Sequence, residues 1–386
     1  MLRLSLYLLV TAICFGSCST DTPPEKTDLS IDEPSQIYDH AAEQYEGLMN
    51  DLSEEEFPRS YENGELITSG SGWWCSGFYP GTLLYLYEQT GDEYLFEEAK
   101  SKLQLLEKEQ YNTDTHDLGF MMFDSFGHAH RLNPSDEYEQ IIVNSAKSLS
   151  SRYSPTTKTI RSWNSEPGNF LVIIDNMMNL DLLFWATEVT GDSTYYDIAV
   201  THANTTIENH FRPDHSSWHV VNYNPETGQV QNKRTEQGFS DESAWARGQA
   251  WGLYGFTETY GNTGNQKYLD QAVAIADFIL DHPNLPKDNI PLWDFNAEPD
   301  ALRDASAAAI IASALLELDQ YVPDSNYRET AETIMKTLTK EYVVAPGDNG
   351  NFILKHGVGH LPAESEVDVP LTYADYYFIE ALTRLK

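Results

Sequence analysis

The sequence predicts an all-α fold, an (α/α)6 barrel of helical hairpins, and three observations predict it. The first is a recurring pattern. It reads Thr90-Gly91-Asp92 with Leu95 and Ala99, Thr190-Gly191-Asp192 with Tyr195 and Ala199, Thr263-Gly264-Asn265 with Tyr268 and Ala272, and Pro323-Asp324 with Tyr327 and Ala331. A degenerate copy sits at Pro134, Tyr138 and Ile142. Glycine tolerates the left-handed conformation that ends a helix, and Asp or Asn accepts from the orphan N–H groups that open the next one. The large residue and the Ala, one helical turn apart, then share a face. The second observation is helical periodicity before each turn, in Leu83-Leu84-Leu86-Tyr87, Leu180-Leu182-Leu183-Trp185, Trp251-Tyr254-Phe256 and Ile311-Leu315-Leu316. The third is the scarcity of strand signals, confined to Ser217–Tyr223 and Asn351–Lys355. Copies at 91, 134, 191, 264 and 323 are spaced by 43, 57, 73 and 59 residues, too unevenly for an open solenoid. At that pitch residues 37–386 hold about six helix pairs, which suits a closed ring.

The N-terminus reads as an address. Arg3, the apolar stretch Leu4–Phe15 and Gly16-Ser17-Cys18 form a lipoprotein signal peptide over residues 1–18. Cys18 is then the lipidated first residue of the mature chain; the plainer alternative is a cleaved signal with an incidental Cys. Residues 19–36, rich in Pro, Thr, Ser, Asp and Glu, read as a flexible tether. Residues 37–386 form the barrel, the catalytic domain. The expected location is periplasmic or cell-surface, as a lipoprotein of a Gram-negative bacterium anchored through Cys18. Of three cysteines, processing removes Cys14 and acylates Cys18, so Cys75 has no partner for a disulfide.

Two inner helices have a distinct character. In Ser243–Tyr260, Gly248, Gly252 and Gly255 share a stripe, and each mid-helix Gly costs about 1 kcal/mol relative to Ala. Close helix packing is the expected reason. Asp304–Leu318 opens with a plausible cap, Asp304, followed by small residues.

With 386 residues, 24 Lys+Arg and 60 Asp+Glu, the chain carries a formal charge of −36. That field repels nucleic-acid phosphates and anionic membranes, and excludes them as partners. Hydrophobic content of 41% excludes global disorder. No H-E-x-x-H, cysteine cluster or Gly-rich phosphate loop is present.

Candidate chemistry lies in five places. Thr115-His116-Asp117-Leu118-Gly119-Phe120 sets an Asp beside a His at the start of an apolar stretch; a capping Asp with a surface His explains it as well. In Ile173-Ile174-Asp175-Asn176-Met177-Met178-Asn179-Leu180 a carboxyl sits inside an apolar run. Burial there raises its pKa, as a general acid requires, though a buried helix cap is an equal reading. In Gln237–Trp251, Ser240 caps and Asp241 and Glu242 suit the first turn, while Trp245, Arg247 and Trp251 fit no such role. An Arg fork grips carboxylates and indoles stack on sugars. Trp73-Trp74-Cys75-Ser76-Gly77-Phe78 leads into a helix, with core packing as the alternative. His219, in Ser216-Ser217-Trp218-His219, stands within possible reach of a hydroxyl or serves structure alone.

Together, Asp117 in H-D-L-G-F, Asp175 in I-I-D-N-M-M-N-L and the run S-D-E-S-A-W-A-R-G-Q-A-W-G resemble the unsaturated glucuronyl hydrolases, glycoside hydrolase family 88. The likeness extends from about Trp74 to Leu382. It implies an (α/α)6 barrel, agreeing with the repeat reading. It implies Asp175 as the acid that protonates C4 of a 4,5-unsaturated uronate and the base that activates water. Asp117 is then the second essential carboxylate. His116, His219, Gln237 and Arg247 are implied as substrate binders, with Trp74, Trp163 and Trp251 stacking on the sugars. No metal or organic cofactor is implied. A pocket made locally positive by Arg247 and the histidines is expected, because the substrate is an anion. The expected substrates are unsaturated oligosaccharides left by lyases acting on ulvan or glycosaminoglycans. The tail from Gly359-His360-Leu361-Pro362 to Val369-Pro370 departs from the glycosaminoglycan-type pattern. Two alternatives stand beside this reading: an unsaturated rhamnogalacturonyl hydrolase acting on pectin fragments, and a non-catalytic glycan-binding lipoprotein.

Overall fold

The computed structural model describes residues 29–386. The signal segment, Cys18 and most of the expected tether lie outside the described residues. The tether's far end is a correction: Leu29 and Ile31 pack on the core, and helix α1 (Pro34–Asp51) already begins with Pro at its first position.

The hairpin β1 (Phe57–Glu62) and β2 (Glu65–Ser69) follows, then α2 (Phe78–Thr90) and α3 (Glu93–Leu106). A π-helical segment, Gly119–Gly127, runs directly into α4 (His128–Leu132), and α5 (Asp136–Ser150) returns outside it. After β3 (Tyr153–Ser154), β4 (Thr159–Ile160) and β5 (Phe170–Ile173) come α6 (Asp181–Thr190) and α7 (Ser193–His210). β6 (Val220–Tyr223) and β7 (Val230–Arg234) precede the hairpins α8 (Ala246–Thr263)–α9 (Gln266–Leu280) and α10 (Ala305–Tyr321)–α11 (Tyr327–Thr337). The hairpin β8 (Gly357–His360)–β9 (Ser365–Val369) leads to α12 (Thr372–Arg384).

The inner ring is α2, the Gly119–Leu132 segment, α6, α8, α10 and α12, and it closes where α12 packs on α2. The remaining long helices pack outside it. The expected barrel is thus observed. The strands form four small sheets among the described residues, the largest being the antiparallel β5-β6-β7.

The turn pattern works as its chemistry dictates. Gly91, Gly191 and Gly264 end their helices at φ 74°, 69° and 63°. Asp92 and Asp192 accept from Tyr94 and Thr194 N–H at 2.9 Å, and Asn265 accepts from Lys267 N–H at 3.3 Å. The Pro copies differ: Ser135 caps α5, and α11 starts only at Tyr327. A proline lacks the N–H and the left-handed freedom, so Ser135 takes the capping role for α5, and α11 begins without a side-chain cap.

Three other expectations are corrected. Ser240 does not cap α8; a turn held by Ser243 intervenes, and the helix starts at Ala246. Asn351–Lys355 forms no strand, only a bridge from Leu354 to Val343. Of the α8 glycines, Gly248 and Gly255 fit the close-packing expectation, but Gly252 has nothing within 3.4 Å of an added Cβ. At Gly255 a Cβ would sit 2.5 Å from that of Met177, so α8 lies directly against the segment carrying Asp175.

Candidate active site

The motifs gather at one end of the ring because each precedes or opens an inner helix. Trp74 lies before α2, Asp117 before the π-helical segment and Asp175 before α6; Arg247 and Asp304 stand at the starts of α8 and α10. Helix N-termini carry partial positive charge, so this end suits an anion.

Asp175 opens a short 3-10 helix, Ile174–Asn179, directly after β5. β5 pairs with β6, Ile173 opposite Val220, and Ile174 N–H donates to the His219 carbonyl at 3.1 Å. That register sets His219 beside Asp175, its Nε2 3.7 Å from Asp175 Oδ2. His219 Nδ1 accepts from the Glu236 and Gln237 N–H groups at 3.1 and 3.2 Å. The proton of the neutral ring therefore sits on Nε2 and points to Asp175.

Burial first, and then the nearby Asp117 charge, push the Asp175 carboxyl up to about 7, against the lowering influence of Arg247 and the Trp251 indole. Oδ2 has no hydrogen-bond partner, and neither has the buried Trp251 N–H. Asp117 is likewise pushed up to about 7 by burial, although the Thr115 hydroxyl donates to its Oδ2 at 2.8 Å. Both side chains are 13% exposed, enough to meet a ligand.

His116 and His219 are buried, and desolvation holds both neutral: His116 falls to about 3 and His219 well below its ordinary value. The expectation that the histidines make the pocket positive is corrected; Arg247 and the helix termini supply that charge.

Arg247 is also recast. One terminal nitrogen reaches the Val358 carbonyl and lies 3.4 Å from Asp304, and the other donates to the Gly359 carbonyl at 2.6 Å. Its guanidinium lies 4.4 Å over Trp245. It fastens the β8–β9 hairpin to the start of α8 rather than offering a free fork. Gln237 Nε2 donates to the same Gly359 carbonyl at 3.1 Å. Trp251 is fully buried between Phe120 and Tyr377, so no face is open to a sugar. Trp74 and Trp163 are half-buried: Trp74 leans on Tyr373 at 5.0 Å, and Trp163 meets His219 edge-on at 5.9 Å.

The model of Glycosyl Hydrolase Family 88 matches residues 49–384. The chain belongs to glycosyl hydrolase family 88. An unsaturated glucuronyl hydrolase of Formosa agariphila is 43% identical to this family 88 chain over 395 residues, covering 100% of it and 98% of the relative. An unsaturated chondroitin disaccharide hydrolase of Streptococcus pneumoniae is 32% identical, with 92% of each chain covered. The crystal structure of an unsaturated glucuronyl hydrolase specific for heparin superposes with a TM-score of 0.89 at 45% identity, covering 92% of this chain and 97% of that one.

Sequence reasoning missed the role of Asn179 and a second role of the expected cap Asp304 in this family 88 site. Asn179 Oδ1 accepts from the Gly119 and Phe120 N–H groups at 2.8 and 3.1 Å, tying the Asp117 segment to the Asp175 segment. Asp304 caps α10 through Ser306 N–H at 2.9 Å, and also receives Val358 N–H at 3.3 Å. A polar residue inside an apolar run was the signal for Asn179. Nothing local marks the second role of Asp304.

Proposed function

We propose that this site removes the 4,5-unsaturated uronic acid from the non-reducing end of oligosaccharides made by polysaccharide lyases, of glycosaminoglycan or ulvan type. One observation carries the reading: a mostly buried carboxyl, Asp175, held protonated up to about pH 7 with an unpartnered Oδ2 beside a second such carboxyl. The unsaturated sugar is a vinyl ether. Asp175 gives its proton to C4, and positive charge develops at C5 and the ring oxygen. The carboxylate left behind is steadied by His219 Nε2–H and the Trp251 N–H. Water adds at C5 and returns a proton to Asp175. The hemiketal opens and the remaining sugar leaves. The anomeric carbon is never attacked, so carboxylate spacing does not report retention or inversion.

Asp117 orients the sugar and raises Asp175 by its charge. Trp74 and Trp163 offer indole surface to the sugars. His116, Gln237 and Arg247 border the ligand or hold what does. The glucuronyl type is favoured over the rhamnogalacturonyl one by the relatives' identities, and paired raised carboxyls are superfluous for mere binding. We also propose acylation at Cys18 and a periplasmic or cell-surface location, supported by Leu4–Phe15 and Gly16-Ser17-Cys18.

The test is loss of alkene ultraviolet absorbance across a panel of lyase-digested polysaccharides. The wild-type protein clears the signal from a uronate-containing digest. Asp175→Asn loses turnover by ~10²–10⁴-fold or more while retaining sugar binding. In heavy water the product carries deuterium at C4. An unchanged signal on every digest rejects the reading.

A further inference from the structure

A cavity of about 450 Å³, bordered by Asn164, is used by no step above. That volume falls in the range of small-molecule sites. Its walls come from the segments around Thr113, Tyr153, Asn164 and Phe170, together with Arg152 and Arg161. Asn164, which borders the cavity, follows Trp163 in the chain, and Arg152 on its wall is close enough to act on the Asp117 carboxyl, so the cavity adjoins the candidate site.

The two arginines differ. Arg152 is buried and its donors are spent: Nε on the Arg161 carbonyl at 2.8 Å, Nη1 on the Thr113 carbonyl at 2.5 Å, and Nη2 on the Ser162 carbonyl at 3.0 Å. Arg161 makes no side-chain hydrogen bond or ion pair among the described residues. Its guanidinium lies 4.6 Å over the Phe170 ring, and its buried Nε has no partner. The chain holds 60 Asp+Glu against 24 Lys+Arg, so an unpaired guanidinium in a pocket is notable. A second guanidinium close by adds repulsion; burial, and then the Arg161 charge, push Arg152 below its ordinary value. Asp117 and then Asp114 are the acidic neighbours of Arg152 and partly offset that repulsion; the Asp114 carboxylate also receives Asn164 Nδ2, and neither carboxylate bonds Arg161.

We propose that Arg161 and this cavity form a subsite for an acidic group, a carboxylate or sulfate ester, on an internal sugar of a longer substrate. The proposal rests on the function proposed above and extends it to chain length. Arg161 supplies the planar fork that matches such a group. Arg152 supplies fixed charge behind it.

The experiment uses calorimetric binding to the inactive Asp175→Asn protein, with and without Arg161→Gln. The probes are an unsaturated chondroitin disaccharide, the corresponding tetrasaccharide with its second uronate, and sodium sulfate. The tetrasaccharide is expected to bind ~10-fold tighter than the disaccharide, in line with one charge-assisted fork. Arg161→Gln removes that advantage, leaves disaccharide affinity unchanged and alters the melting temperature only slightly, because the side chain's one contact is with the Phe170 ring and it makes no hydrogen bond or ion pair among the described residues. Arg161→Lys restores part of it. Equal affinity for both oligosaccharides, or equal losses on both, overturns the proposal. Arg161-dependent sulfate binding without a tetrasaccharide advantage also overturns it, assigning the cavity to a free anion. Turnover of the disaccharide by the Arg161→Gln enzyme reads the parent function separately, since binding at the cavity is measured without catalysis.

Discussion

Asp175 and Asp117 are acids because burial strips water from them, and the Asp117 charge adds to the difficulty of ionising Asp175. Both stand near 7, far above an ordinary Asp. Such a group binds its proton more tightly folded than unfolded, so folding stability declines as pH rises from about 4 to about 7. Asp175→Asn removes that penalty. Its melting temperature is expected to exceed that of the wild type at pH 8, and the difference is expected to vanish near pH 4. A constant difference across that range would deny the raised pKa. Turnover by the wild-type enzyme is expected to fall as pH rises through about 7, because the acid form disappears. His219 takes no part in that titration. Burial keeps it neutral, and two backbone N–H groups fix which nitrogen carries the proton.

Elements hold these residues in place through few contacts. Asn179 joins the two acidic segments, since one amide oxygen receives both N–H groups that open the π-helical stretch after Asp117. Asn179→Ala leaves those donors unpaired in the interior, a loss of ~1–3 kcal/mol, and is expected to lower kcat more than it changes KM. Asn179→Asp keeps the acceptor and adds a carboxyl near the pair. Its alkaline activity limb is expected to move upward, which a merely structural residue would not cause. Gly255 is the complementary case. Gly255→Ala forces a methyl against Met177, with an expected destabilisation of ~1–3 kcal/mol by thermal unfolding and reduced kcat as the Asp175 segment shifts.

The whole molecule opposes its own substrate at long range. A charge of −36 repels an anionic sugar, while helix N-termini and Arg247 attract it at the site. Salt screens the distant field first, over a Debye length of about 8 Å at physiological ionic strength. kcat/KM for an unsaturated disaccharide is therefore expected to rise with sodium chloride from low to physiological strength. A fall would mean that the local field governs approach. The β8–β9 hairpin belongs to this scale too. Arg247, Gln237 and Asp304, from three places in the chain, hold Val358 and Gly359 in position.

The helical hairpins, their turns and the motifs were legible in the sequence because each depends on neighbours along the chain. A Gly that ends a helix, an Asp that caps the next and an aromatic one turn later act within ten residues. The two candidate acids were legible for the same reason: a carboxyl inside an apolar run, and an Asp beside a His before one. The roles of Arg247 and Trp251 were not. A fork and an indole on a Gly-rich helix suit sugar binding, and only the path of a hairpin more than a hundred residues later shows that Arg247 is occupied. Only ring closure shows that Trp251 is covered by Phe120 and Tyr377. The proton on His219 Nε2 likewise depends on a third strand and the loop after it. Local sequence thus determined which groups are present and which helix each one opens. Tertiary structure decided which of them remain free to meet a ligand, because hydrogen-bond capacity and exposure are settled only when distant segments compete for the same atoms.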